Sequence, residues 1–166
     1  MYEEVSSLHG AAIQRLARGY EADPDKQKDL LQEIHMELWK SLGSFDGRCS
    51  LRTWVYRVAH NVGASHVVRS RRLSSRLTDL ETLEAEMPGI DEVQIDRHFS
   101  SARIFDLIRR IKPIDRQIIM LYLEGEGAGS IAEVSGLSPA NVATKIHRIK
   151  KTLKQNYMQG AVDARP

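Results

Sequence analysis

Asn141, Thr144, Lys145, Arg148 and Lys151 recur at helical spacing near the C-terminal end of the chain. That set is suited to reading a polyanion. Asn and Arg can pair with base edges through two hydrogen bonds, and Lys and Arg neutralise phosphates. Val142, Ile146, Ile149 and Leu153 fall on the opposite side of the same stretch and need burial. Ser138 can cap this helix, Pro139 fits its first position, and Gly136 can end a preceding helix in the left-handed conformation. The stretch Ser130–Leu153 therefore reads as a helix-turn-helix whose second helix presents polar and cationic groups outward. A plain helical hairpin with a solvated basic face has the same pattern, so this stretch leaves both readings open.

Two further constellations lie upstream. A helix starting at Ser50 would align Leu51, Trp54, Val55, Val58, Ala59 and Val62 as its buried side, the strongest periodicity in the chain. Its polar face carries Arg52, Tyr56, His60, Asn61 and Arg69, and it ends in Arg69-Ser70-Arg71-Arg72. Cations interleaved with an aromatic suit phosphate contact plus base stacking, although a basic helix end also complements the helix dipole. In the preceding helix, Leu31, Ile34, His35, Leu38 and Leu42 are expected inside. Asp29, Gln32, Glu33 and Met36 share another face. That face fits either a docking surface for a basic partner helix or a solvated surface, and the residues alone favour the solvated one.

Other chemistries have little support. Gly125–Ser130 has the glycines of a phosphate loop but neither the preceding strand nor the lysine. The six histidines show no metal-ligand spacing, and the lone Cys49 rules out an internal disulfide. No catalytic set, metal site or cofactor is expected. The start of the chain lacks a signal-peptide pattern and no run is long enough to span a membrane, so a cytoplasmic protein is expected.

With 166 residues, 42% hydrophobic and 28% charged, the chain can build one medium or two small cores. Its net charge of +2 is unevenly distributed. Residues 1–76 hold 12 Lys/Arg against 9 Asp/Glu, residues 77–100 hold 1 against 7, and residues 101–166 hold 11 against 6. Two basic blocks flank an acidic one. No period-two alternation appears, so the expected fold is all-α. It comprises helices over about 5–19, 24–42, 50–72, 102–111 and 115–124, then the helix-turn-helix, with a frayed tail after about Asn156. The first helix should bury Leu8, Ala12, Leu16 and Tyr20.

These motifs, taken in order, resemble one family. Asp29-Leu30-Leu31-Gln32-Glu33, Leu38-Trp39, Phe45-Asp46-Gly47, Leu51–Asn61 and the Arg69–Arg72 cluster form a first block. Ile111-Lys112-Pro113, Asp115-Arg116, Leu121–Gly125, Ile131-Ala132-Glu133, Gly136-Leu137-Ser138 and Asn141–Lys150 form a second. Together they resemble bacterial RNA polymerase sigma factors of the extracytoplasmic-function (ECF) group. The chain departs from that pattern at Ala128, Gly129 and Ser130, where the family has a polar or aromatic residue and two acids, and at Ser65, where an acid is usual.

The resemblance implies two small helical domains, 1–76 and 101–157, joined by an acidic linker, 77–100, with 158–166 as a tail. It implies that Asp29, Gln32, Glu33 and Met36 dock on core RNA polymerase. Phe45, Asp46, Arg48, Ser50, Arg52, Tyr56, His60, Asn61, Arg69, Arg71 and Arg72 would open and hold the minus-ten promoter element. Ser138, Asn141, Thr144, Lys145, Arg148 and Lys151 would read the minus-thirty-five element in duplex DNA. An anti-sigma protein is the further partner implied. The alternative is a stand-alone helix-turn-helix regulator with an N-terminal sensor or dimerisation domain.

Overall fold

The computed structural model describes residues 2–78 and 98–162, with side chains described over 2–74 and 102–159. Among these residues it is all-helical: α1 (Tyr2–Tyr20), α2 (Pro24–Leu42), α3 (Leu51–Thr78), α4 (His98–Arg110), α5 (Pro113–Leu123), α6 (Ala128–Ser135) and α7 (Pro139–Val162). Most of the acidic linker lies outside the described residues. Both helices flanking it are longer than expected, as is α7, which continues past Asn156 to Val162.

Local chemistry sets the helix ends. Asp23 caps α2 by accepting from the Asp25 and Lys26 N–H groups at 2.9 and 3.0 Å, and Pro24 follows at the first position. The Ser50 hydroxyl accepts from Thr53 N–H at 3.0 Å and so starts α3. Pro113 opens α5. The α5 end is a left-handed glycine stop: Gly125 has φ +82°, Gly125 N–H bonds Tyr122 O at 3.0 Å, and Glu126 N–H bonds Leu121 O at 3.1 Å. The glycine-rich entry to the helix-turn-helix is thus a hydrogen-bonded corner rather than a loose segment.

Helices α1, α2 and α3 pack on one another, and α4 to α7 form a second bundle. The α1 stripe comprises Val5, Ala12, Ile13, Leu16, Ala17 and Tyr20. Leu8, expected inside, is 69% exposed, and His9 instead turns toward Tyr56 with ring centroids 6.2 Å apart. On α2, Leu30 rather than Leu31 joins Ile34, Leu38 and Leu42 in the interior, while Leu31 and His35 are half-buried. On α7, Val142 and Ile149 are buried, and Ile146 and Leu153 are half-buried.

The two bundles also meet, through α1 and α3 on one side and α4, α5 and α6 on the other. Gly19 permits the approach, because a Cβ there would lie 2.8 Å from the Met120 sulfur. Beside it the Tyr20 hydroxyl and His60 Nδ1 share a 2.9 Å hydrogen bond in the interior. Arg116 of α5 places its guanidinium 5.4 Å from the centre of the Tyr20 ring.

Burial holds the His60 pKa at about 3. The unfolded chain takes up this proton near pH 6.5, whereas the folded chain resists it until near its own pKa, so stability is lost as pH falls through that window. The loss attributable to His60 is about 1.4 kcal/mol per pH unit below the unfolded value. Urea unfolding between pH 7 and 5 should show a steeper loss for the wild type than for His60→Gln.

Candidate nucleic-acid and polymerase interfaces

Three surfaces gather the residues expected to act. The first is on α2. Asp29 and Gln32 are exposed, and Met36 is 55% exposed. Gln32 and Met36 line a shallow groove with Tyr2, Leu31, His35 and Trp39. The Tyr2 hydroxyl and His35 Nδ1 share a 3.1 Å hydrogen bond at its edge, and burial lowers the His35 pKa. Trp39, at 66% exposure, was missing from the expected docking set. The i, i+4, i+7 spacing of Gln32, Met36 and Trp39 was the available signal. Glu33 behaves differently from its neighbours: its carboxylate accepts from Arg69 Nη2 at 2.6 and 2.7 Å. A residue expected at the docking face and one expected on DNA are therefore paired with each other.

The second surface runs from the α2–α3 loop along α3. Phe45 packs edge-on against Trp54, with centroids 5.6 Å apart. Asp46 accepts from the Arg48 backbone N–H at 3.2 Å and from its guanidinium at 2.5 Å, which holds the Asp46 carboxyl below its ordinary range. Ser50 serves as the α3 cap. Arg52, Asn61, Arg69, Arg71 and Arg72 are exposed.

Two expected members of this polar face are inside. His60 is 2% exposed because its side of α3 faces α1, where Tyr20 supplies its partner. Tyr56 is also 2% exposed. The Arg52 guanidinium stands 5.6 Å from the centre of its ring, and the charges of Arg15, Glu124 and Glu126 act on it. Desolvation raises the Tyr56 pKa. The second bundle meets α3 beside Tyr56. Arg52 pairs with Glu126 and donates to Glu124 O at 3.0 Å, and Arg57 donates to Glu133 O at 2.9 Å.

The third surface is the helix-turn-helix, α6 and α7. Gly136 takes φ +75° and its N–H bonds Ala132 O at 2.9 Å, while Ser138 Oγ accepts from Asn141 N–H at 3.3 Å. The α6–turn–α7 geometry matches the expectation. Asn141, Thr144, Arg148 and Lys151 are exposed on one side of α7. Thr144 turns its hydroxyl back to Ala140 O at 3.0 Å. Lys145 is half-buried and paired with Asp115 at 2.7 Å, so it braces α7 against α5 in this state.

Known proteins resolve what these surfaces belong to. A family model described as sigma-70 region 2 matches residues 7–73, and one described as sigma-70, region 4 matches residues 101–153. The chain is an ECF-group sigma factor of the sigma-70 family. It is 26% identical over 140 residues to the RNA polymerase sigma factor YlaC of Bacillus subtilis (strain 168), covering 83% of this chain and 81% of that protein. It is 25% identical over 140 residues to the ECF RNA polymerase sigma factor SigX of the same organism, covering 81% of this chain and 72% of that one. The sigma factor's fold matches that of RpoE from Bartonella quintana, solved with the anti-sigma factor NepR. The TM-score is 0.70 at 18% identity, over 93% of this chain and 94% of that one. Sigma factors direct promoter-specific transcription initiation and are not enzymes. No helix among the described residues is long and apolar enough to cross a membrane.

Gly136→Ala should destabilise this sigma factor by about 1 kcal/mol, because Ala resists the left-handed conformation that ends α6. Denaturant unfolding measures it, and Gly129→Ala, at a helical glycine with nothing within 4 Å of its Cβ position, should not share the loss.

Proposed function

We propose that the three surfaces divide the work of initiation. The α2 groove, with Asp29, Gln32, Met36 and Trp39, docks on core RNA polymerase. The 45–72 surface captures the melted minus-ten strand, with Phe45, Asp46, Arg48, Arg52, Tyr56 and Asn61 near the bases and Arg69, Arg71 and Arg72 on phosphates. His60 supports that surface from inside. The α7 face, with Ser138, Asn141, Thr144, Arg148 and Lys151, reads the minus-thirty-five duplex, and Lys145 joins it on release from Asp115. Residues 1–76 and 101–157 are the two working domains, joined by the acidic segment 77–100. The sigma factor works in the cytoplasm and performs no catalysis of its own.

One observation supports this most directly: two family models fall in order on two bundles, and each bundle carries its own exposed cationic set. Neither set needs a catalytic residue. Contacts to an unpaired strand offset the energy of unstacking it, and phosphate contacts make the affinity fall steeply with salt. An anti-sigma factor is the regulatory partner this reading includes, consistent with the complex in which the Bartonella quintana relative was solved.

The test is in vitro transcription with core polymerase on genomic promoter templates. The wild type should give promoter-specific transcripts. If the chain adds none yet binds duplex DNA alone, the stand-alone regulator is the better account. Asn61→Ala combined with Arg71→Ala should lower open-complex formation by at least about tenfold while core binding, measured by co-migration, survives. Arg148→Ala should weaken use of the upstream element by about 1–3 kcal/mol, read as relaxed selectivity among upstream sequences.

A further inference from the structure

We propose that the Glu124–Glu126 corner between α5 and α6 acts as an internal substitute for DNA, closing the free chain over the Arg52 and Tyr56 part of its single-strand surface. The proposal rests on the assignment of that surface above. Arg15 of α1 donates from Nε and Nη2 to the two carboxylate oxygens of Glu124, each at 2.6 Å. Arg52 of α3 pairs with the Glu126 carboxylate and also donates to the Glu124 carbonyl. Arg57 reaches the Glu133 carbonyl of α6. Three guanidinium groups thus meet two carboxylates and two carbonyls, an array of oxygens like the one phosphates would supply. The corner is held in shape before it docks, because the hydrogen bonds to Leu121 O and Tyr122 O fix both acids around left-handed Gly125.

The closure is selective. It buries the Glu124 and Glu126 side chains to 11% and 9% exposure, and both acids act electrostatically on buried Tyr56. Asn141, Arg148 and Lys151 on α7 stay exposed, as do Met36 and Trp39 on α2. The corner thus engages one of the three proposed working surfaces, at Arg52 and beside Tyr56, and leaves Asn61, Arg69, Arg71 and Arg72 of that surface exposed and the other two surfaces open.

The closure is also opposed from within. Arg116 is 2% exposed at the same contact, and its Nε has no hydrogen-bond partner. Its donors reach only the carbonyls of Arg109 and Ile111. Separating the bundles would return this cation to water. The guanidiniums of Arg15 and Arg52 stay half-exposed, so these contacts weaken with salt and closure can yield to a competing partner.

The test uses the free full-length chain. Small-angle scattering gives its size, and fluorescence anisotropy gives its affinity for a labelled oligothymidylate of about twelve nucleotides at about 50 mM salt. Glu124→Gln with Glu126→Gln should expand the chain and tighten oligonucleotide binding about tenfold, as expected if about nine chains in ten are closed. The charge exchange Arg15→Glu with Glu124→Arg should stay as compact as wild type. A neutralised variant as compact as wild type overturns the closure. A variant that expands without gaining affinity overturns the masking. Promoter-specific transcription by the wild type with core polymerase tests the functional reading separately, since it does not depend on how the free chain closes.

Discussion

Tyr20 sits where α1, α3 and α5 converge, and the placement of nearly everything else follows from how it is buried. Its hydroxyl meets His60, its ring lies where a Cβ on Gly63 would stand 2.6 Å away, and Arg116 covers it from the second bundle. A buried phenol needs a polar partner, and a buried neutral imidazole supplies one without introducing a charge. Burial raises the Tyr20 pKa well above its ordinary value, so the pair stays uncharged across the physiological range. This contact fixes the C-terminal end of α1 against α3. Arg15 and Gly19, on the same helix, are thereby brought up to α5.

The charge pattern then takes on a second meaning. The chain carries basic blocks at both ends, and like charges brought together would repel. The fold answers with local acids. Glu124 and Glu126 lie within the basic C-terminal block, yet both face the cations of the N-terminal bundle. The net charge of a block governs long-range steering. The contact itself is decided by charges a few ångströms apart, where two acids suffice.

Much of the architecture was legible because helices announce themselves. The Ser138-Pro139 start, the Gly136 stop and the Leu51–Val62 periodicity each reflect local rules, and each element formed where those rules place it. Faces were less legible than elements. His60 and Tyr56 share a polar side of α3 by spacing alone, but burial depends on which helix lies opposite, and that is a tertiary fact. The exchange of Leu8 for His9 and of Leu31 for Leu30 has the same origin: one residue of rotation separates inside from outside. The glycine-rich corner was least legible. Its three glycines suggest looseness, whereas left-handed Gly125 and two backbone hydrogen bonds make it a fixed platform for two acids.

The departure from the family pattern at Ala128–Ser130 now has a structural setting. These residues begin α6 directly after the acidic corner, and they bring no acid of their own. Arg116, in the neighbouring helix, finds only carbonyls for its guanidinium and settles on the aromatic ring of the other bundle. Burial between the bundles removes this cation's hydration, and its Nε finds no hydrogen-bond partner in exchange. The negative charge in this part of the chain is concentrated instead in Glu124 and Glu126, whose partners also belong to the other bundle. The two acids make the C-terminal bundle depend on the N-terminal one for charge compensation, while buried Arg116 works against the contact. In this sigma factor the contact between bundles is therefore held by ion pairs of Arg15 and Arg52 with the two acids, against the cost of burying Arg116.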